Sequence, residues 1–211
     1  MLLIGMFDSP FVRRVAISMK LLDIEFEHAN WSVGKDFAQI RQHNPLGRVP
    51  ALVLDDGEPV IESSAILDYL DESVGEERAL LPPSGAARRQ SLRIMATATG
   101  AAEKGVLMVY EKAFRPPEKR HQPWLDRCNT QIHGAFSELE KVCEQRRGQW
   151  LIDGTLTQPD ITVSCAFTFL NETMRLDEIS ASYPALREHV RRCEALAVFK
   201  DTYVPFFVPN S

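Results

Sequence analysis

The feature that most constrains this chain is a change of pattern at LLPPSGAARR, residues 80–89. Before it, short apolar runs alternate with helical ones. LLIGM (2–6) reads as a compact strand, and Val12, Val15, Ala16 and Met19 then recur at helical spacing. FEHAN (26–30) reads as a weaker strand, KDFAQIRQH (35–43) as a short helix and PALVL (50–54) as a third strand. EPVI (58–61) follows as a fourth, after the DDG turn signal. Ile66, Leu67, Leu70 and Val74 mark a helix that stops at Gly75, a residue type suited to helix C-termini. The order is βαβαββα. Beyond the Pro-Pro-Ser-Gly punctuation the patterns are long and helical, which predicts one unit over 1–76, a linker over 77–84 and an all-helical unit over 85–211.

Within the second unit, Leu125, Cys128, Ile132, Ala135, Phe136, Leu139, Val142 and Cys143 keep one apolar face over many turns, as a bundle helix does. DITVSCAFTFL (160–170) is apolar on nearly every side and predicts the central helix of the bundle. At its entry, Thr157 and Asp160 have capping-box spacing, and Leu156 and Ile161 stand where a hydrophobic staple would sit. Loss of the Thr157 cap is expected to cost about 1 kcal/mol.

A net charge of -5 argues against a partner bound through phosphate neutralisation, which needs a concentrated basic patch. The paired arginines Arg13-Arg14, Arg88-Arg89, Arg146-Arg147 and Arg191-Arg192 are scattered and read as solvated helix faces. No apolar run approaches the roughly 20 residues that span a bilayer, so no membrane partner is expected and a cytoplasmic protein is the default. Cys128, Cys143, Cys165 and Cys193 form no CxxC pair and predict reduced, buried thiols. The five histidines lack metal-ligand spacing, and no metal is expected.

Three stretches taken in order, SPFVRRV (9–15), NPLGRVPAL (44–52) and ESSAILDYL (62–70), together with LTQPDI and YPALREHV of the helical half, resemble the cytosolic glutathione transferase family over essentially the whole chain. The resemblance is nearest to bacterial members with a serine in the first motif. It implies an α/β N-terminal thioredoxin-like domain joined to an all-α C-terminal helical bundle domain, glutathione as co-substrate, and a homodimer. It further implies a cis bond before Pro50, so that the main chain of Val49 pairs with the cysteinyl backbone of glutathione. Ser63, placed to cap a helix beginning at Ser64, would hold the γ-glutamyl carboxylate, with Glu62 near the ammonium group. Arg48 could pair with the glycine carboxylate. Phe11, Tyr110, Phe114, Phe206 and Phe207 are the aromatic candidates for the pocket of a small hydrophobic electrophile.

Such an enzyme must lower the thiol pKa of glutathione, because the thiolate is the nucleophile. A Ser9 hydroxyl donating to sulfur favours only the charged form, by about 1.5–3 kcal/mol or roughly one to two pKa units, and the helix starting at Pro10 favours the same anion. Asp8 beside it is discordant: either Asp8 or Ser9 could cap that helix. Two further readings stand beside conjugation. Isomerisation or dehalogenation also begins from a bound thiolate, and a non-catalytic glutathione-binding or regulatory protein could use the same scaffold. A thiol reductase is disfavoured, since the nucleophile position holds Ser9 and the first half has no cysteine.

Overall fold

The computed structural model describes residues 1–152, 154–174 and 181–206. The first half runs β1 (Leu2–Ile4), α1 (Pro10–Leu21), β2 (Glu27–Ala29), α2 (Phe37–Ile40), β3 (Ala51–Val53), β4 (Pro59–Ile61) and α3 (Ser63–Val74). The strands form one mixed sheet in the order β2-β1-β3-β4, parallel between β1 and β2 and antiparallel elsewhere. Successive strand residues face opposite sides. Leu3 and Leu52 therefore pack with Val12, Val15, Ala16 and Met19 of α1 and with Ile66 and Leu70 of α3. Their neighbours Ile4 and Ala51 pack with Ile40 of α2. The apolar α2 pattern predicted a longer helix than the four residues found. Helix α3 ends as expected, with Gly75 at φ 80°.

The second half comprises α4 (Gly85–Phe114), α5 (Gln122–Gln145), α6 (Gln158–Met174), α7 (Pro184–Glu194) and the short α8 (Ala197–Lys200). The apolar face read for α5 is the one it buries, apart from the half-buried Ala135. Helix α6 is buried from Gln158 to Phe167 without a break, which fits its apolar character on all sides. Gly105 lets α4 approach it closely: a Cβ there would lie 2.4 Å from Leu170. All four cysteines are free and buried. No described helix is long and apolar enough to cross a membrane.

Helix α1 joins the halves, and here the solvated-face reading of Arg13-Arg14 fails. Both side chains are buried. The reason is a second packing face: Ile17 meets Ile161 and Cys165 of α6, Cys193 of α7 and Phe199 of α8. Arg13 makes a two-pronged pair with Glu194 at 2.8 and 2.6 Å and donates to the Phe199 carbonyl at 2.8 Å.

The entry to α6 rests on Asp160, which is fully buried. Its carboxylate accepts from the Leu151 and Thr157 amides, both at 2.9 Å, and from the Thr157 hydroxyl at 2.8 Å. This is half of the expected capping box. The Thr157 hydroxyl donates to Asp160 and does not accept from its amide, which bonds instead to the Thr157 carbonyl at 3.0 Å. Leu156 and Ile161 do share one cluster, as a staple would.

His189 lies 3.3 Å from Asp160, yet burial, helped by the neighbouring Arg192 charge, pulls its pKa down to about 4. It is therefore neutral at physiological pH.

Two outcomes follow from this corner. Asp160→Ala strands three donors in the core and should cost about 3 kcal/mol in urea unfolding, against about 1 kcal/mol for Thr157→Ala. Because the folded-state pKa of His189 is below its unfolded value, the unfolded chain binds the extra proton. Stability should then be full above about pH 6.5 and decline as pH falls toward 4, and His189→Gln should flatten that decline.

Candidate active site

The first site loop leaves β1 at Gly5, where φ is +129° and a Cβ would lie 2.5 Å from Val12 and 2.8 Å from Val49. Only glycine lets β1, α1 and the 44–50 loop converge this closely. Ser9, with extended backbone angles, is the N-cap of α1. This settles the choice between Ser9 and Asp8 in favour of Ser9. Its oxygen accepts from the Val12 amide at 3.5 Å, the long limit for such a bond, and its hydroxyl proton has no acceptor among the described residues. Burial pushes the Asp8 carboxyl up from its ordinary range; the Ser9 amide opposes this and Glu172 adds to it.

The second loop is shaped by Asn44, which is fully buried. It donates to the Arg48 carbonyl at 2.8 Å and accepts from the Leu46 amide at 3.0 Å. The Val49–Pro50 peptide is cis. Val49 stands just before the paired part of β3, and no hydrogen bond to its N–H or C=O occurs among the described residues.

The third element is the start of α3. The helix begins at Ser63, with Glu62 as N-cap at φ 68°. Ser63 is thus the first helical residue and not the cap, a correction whose cause is a cation the sequence reading placed in solvent. Arg14 donates to the Ser63 hydroxyl oxygen from Nε at 3.2 Å and from Nη2 at 2.8 Å, and also to Ser64 at 2.9 Å and Thr162 at 3.3 Å. Burial pulls the Arg14 pKa down to about 10, so it remains charged at neutral pH. Among the described residues no carboxylate lies within ion-pair distance of it. With both guanidinium bonds pointing at its oxygen, Ser63 is left with a proton to give. The amides of the first turn of α3 are unpaired at the same place. Together they make an anion-binding corner with a buried positive charge behind it.

Arg48 and Glu62 face each other at 3.5 Å, each about half exposed, an ion pair worth at most about 1 kcal/mol. A ligand carrying both charges could replace it at little cost.

The aromatic candidates fall into two groups. Phe11 packs against the core of the helical half, and Phe206 stands edge-on to Phe169 at 5.3 Å. Glu172 ties down that tail by accepting from the Tyr203 hydroxyl at 2.5 Å and the Phe206 amide at 2.9 Å. Tyr110 and Phe114 form an edge-on pair at 5.3 Å on an exposed part of α4. Burial raises the Tyr110 pKa, with the Arg48 charge acting in the opposite sense. Phe207 lies outside the described residues.

Sequence reasoning missed Arg14 and Thr162. One signal was available: the apolar Ile17 lies off the face made by Val12, Val15, Ala16 and Met19, which marks a second packing side on α1.

Comparison with known proteins fits this geometry. Residues 3–78 match the glutathione S-transferase N-terminal domain, and residues 122–192 match the glutathione S-transferase C-terminal domain. The GST-like protein YibF of Escherichia coli K12 is 32% identical over 81% of this chain and 82% of its own length. A glutathione transferase family member from Pseudomonas fluorescens Pf-5, solved with bound glutathione, is 31% identical. It aligns with a TM-score of 0.84 over 97% of this chain and 99% of its own. A glutathione S-transferase from Methylobacillus flagellatus KT, solved with GSH bound, aligns with a TM-score of 0.87 at 26% identity, over 95% and 98% of the two chains. The thioredoxin-like sheet domain, the helical C-terminal domain and these relatives make the chain a member of the glutathione S-transferase family.

Proposed function

We propose that the protein is a serine-type glutathione transferase, which activates the thiol of bound glutathione for attack on a small hydrophobic electrophile. The observation that carries this reading is the anion corner at the start of α3, where a buried Arg14, without a carboxylate partner among the described residues, lies behind the Ser63 hydroxyl. The γ-glutamyl carboxylate occupies that corner and supplies the missing negative charge. Its ammonium group takes Glu62, and the glycine carboxylate takes Arg48, so the zwitterionic ligand replaces a weak surface ion pair. The N–H and C=O of Val49, unpaired among the described residues, pair with the cysteinyl backbone as one added strand residue.

This pose carries the thiol toward the start of α1. The Ser9 proton, without an acceptor of its own, donates to the sulfur and favours the thiolate, as does the amino-terminal end of α1. The upward push on the Asp8 pKa reduces the like-charge conflict that a neighbouring carboxylate would otherwise create. The acceptor lies between the halves, against Phe11, Phe206 and Tyr110. Conjugation is favoured over isomerisation or dehalogenation only by the family; all three use the same thiolate. A cytoplasmic homodimer, with residues 1–76 and 85–211 as separate units about a 77–84 linker, completes the reading.

Calorimetric titration with glutathione tests it. Binding should be found in the micromolar to millimolar range, and Ser63→Ala should weaken it about tenfold or more, the worth of a hydrogen bond to a charged group. No binding at millimolar ligand would instead favour the non-catalytic scaffold. Ser9→Ala should leave glutathione affinity nearly unchanged but raise the pKa seen in the pH dependence of conjugation to a chlorinated aromatic acceptor by roughly one to two units. Since the cap bond is long, the same variant should lose less than about 1 kcal/mol of stability. An unchanged pH profile would remove Ser9 from the chemistry.

A further inference from the structure

Helix α1 holds Ser9 from one side only. The Arg13 amide donates to the Ser9 carbonyl at 2.9 Å, while the cap bond, at 3.5 Å, does little to fix the hydroxyl. The backbone angles that aim this hydroxyl depend equally on how residues 5–9 arrive from β1. Whatever holds that stretch therefore bears on the chemistry.

The edge strand β2 supplies the holder. In the parallel register His28 stands beside Leu3, so its ring leaves the sheet on the face that α1 covers. There His28 Nε2 lies 2.7 Å from the Gly5 carbonyl oxygen. A carbonyl can only accept, so Nε2 carries the proton. The Gly5 amide donates to the Ala29 carbonyl at 3.0 Å, and the N–H and C=O of Gly5 thus both end on β2. The imidazole also stacks on Phe7, with centroids 4.0 Å apart and 6° between the planes, and Phe7 packs against the core beneath α1. Gly5 and Phe7 flank Met6, whose carbonyl accepts from the Ser9 amide at 3.2 Å. One ring therefore grips the loop on both sides of the residue to which Ser9 is bonded. Among the described residues, no other side chain from outside the loop hydrogen-bonds to residues 5–9.

We propose that His28 is a positioning residue for Ser9, clamping the Gly5–Ser9 loop so that the hydroxyl meets the sulfur of bound glutathione. It acts through the loop and takes no proton from the ligand. Lys20, Glu25, Glu27 and Asp201 line the groove beside the ring, but the clamp does not need their charges. A neutral and a protonated imidazole both donate from Nε2.

The proposal rests on the glutathione reading, and its test separates the two. In the whole protein, the ultraviolet absorbance of the bound thiolate is titrated against pH, and glutathione affinity is measured by calorimetry. His28→Phe keeps an aromatic ring on Phe7 but loses the donor. It should raise the bound-thiol pKa by about half a unit or more, though less than Ser9→Ala does. Affinity should stay within about twofold, because the Ser63 corner is untouched. His28→Gln returns an amide donor near the same point and should restore the original pKa; the shorter His28→Asn should not. In the double variant, His28→Phe should add nothing to Ser9→Ala, since one acts through the other. His28 is exposed, so all these variants should keep the fold by circular dichroism. A thiol pKa unchanged in both His28→Phe and His28→Asn, while Ser9→Ala raises it, would overturn the clamp and leave the glutathione reading standing. Additive shifts in the double variant would also overturn the clamp. No shift in Ser9→Ala itself would overturn both.

Discussion

A guanidinium sealed between three helices, with hydroxyl groups in place of a carboxylate around it, sets the terms for the rest of this structure. Isolated buried charge is among the most expensive things a fold can contain. Arg14 avoids that cost only by reaching Ser63 and Ser64 on α3 and Thr162 on α6, which fixes α1 against an element from each half. The same bonds decide the chemistry at Ser63. Its oxygen is occupied by the cation, its proton is left to give, and the first turn of α3 is held open to an anion.

The adjacent arginine has a different task. Arg13 faces α7 and α8, where Glu194 neutralises it and also accepts from Thr168 at 2.7 Å on α6. One arginine of the pair has a carboxylate within the fold, and the other has only hydroxyl groups among the described residues. Glu172 straps the tail so that Phe206 packs edge-on against Phe169 of α6. Pre-formed geometry of this kind favours binding, because little order has to be created when the ligand arrives.

Much of this was legible in the chain. Four short β-like runs located the strands, helical spacing located α3 and α5, apolar character on nearly every side located α6, and Gly75 marked the end of α3. The resemblance led to the cis bond at Pro50, which is present. What the pattern did not show was every contact made by a second face. Arg13 and Arg14 looked like surface charge because a single helix does not reveal that another helix will cover its polar side. Ser63 was read as a cap for the same reason, since the preference for serine at a helix start ignores a guanidinium brought from 49 residues away. Thr157 and Asp160 had the right spacing, but a shorter acid than glutamate reached the amide and hydroxyl of Thr157 while its own amide bonded to the main chain.

The central claim is that the Arg14-backed start of α3 is an anion site built for one end of glutathione and that the pose it dictates delivers sulfur to Ser9. A crystal structure of the protein with glutathione tests this most directly. The account predicts a carboxylate on the Ser63 hydroxyl and the first amides of α3, the cysteinyl backbone on Val49, and sulfur within hydrogen-bonding distance of the Ser9 oxygen. Glutathione seated elsewhere, or its sulfur turned away from Ser9 with the α3 corner empty, would contradict it.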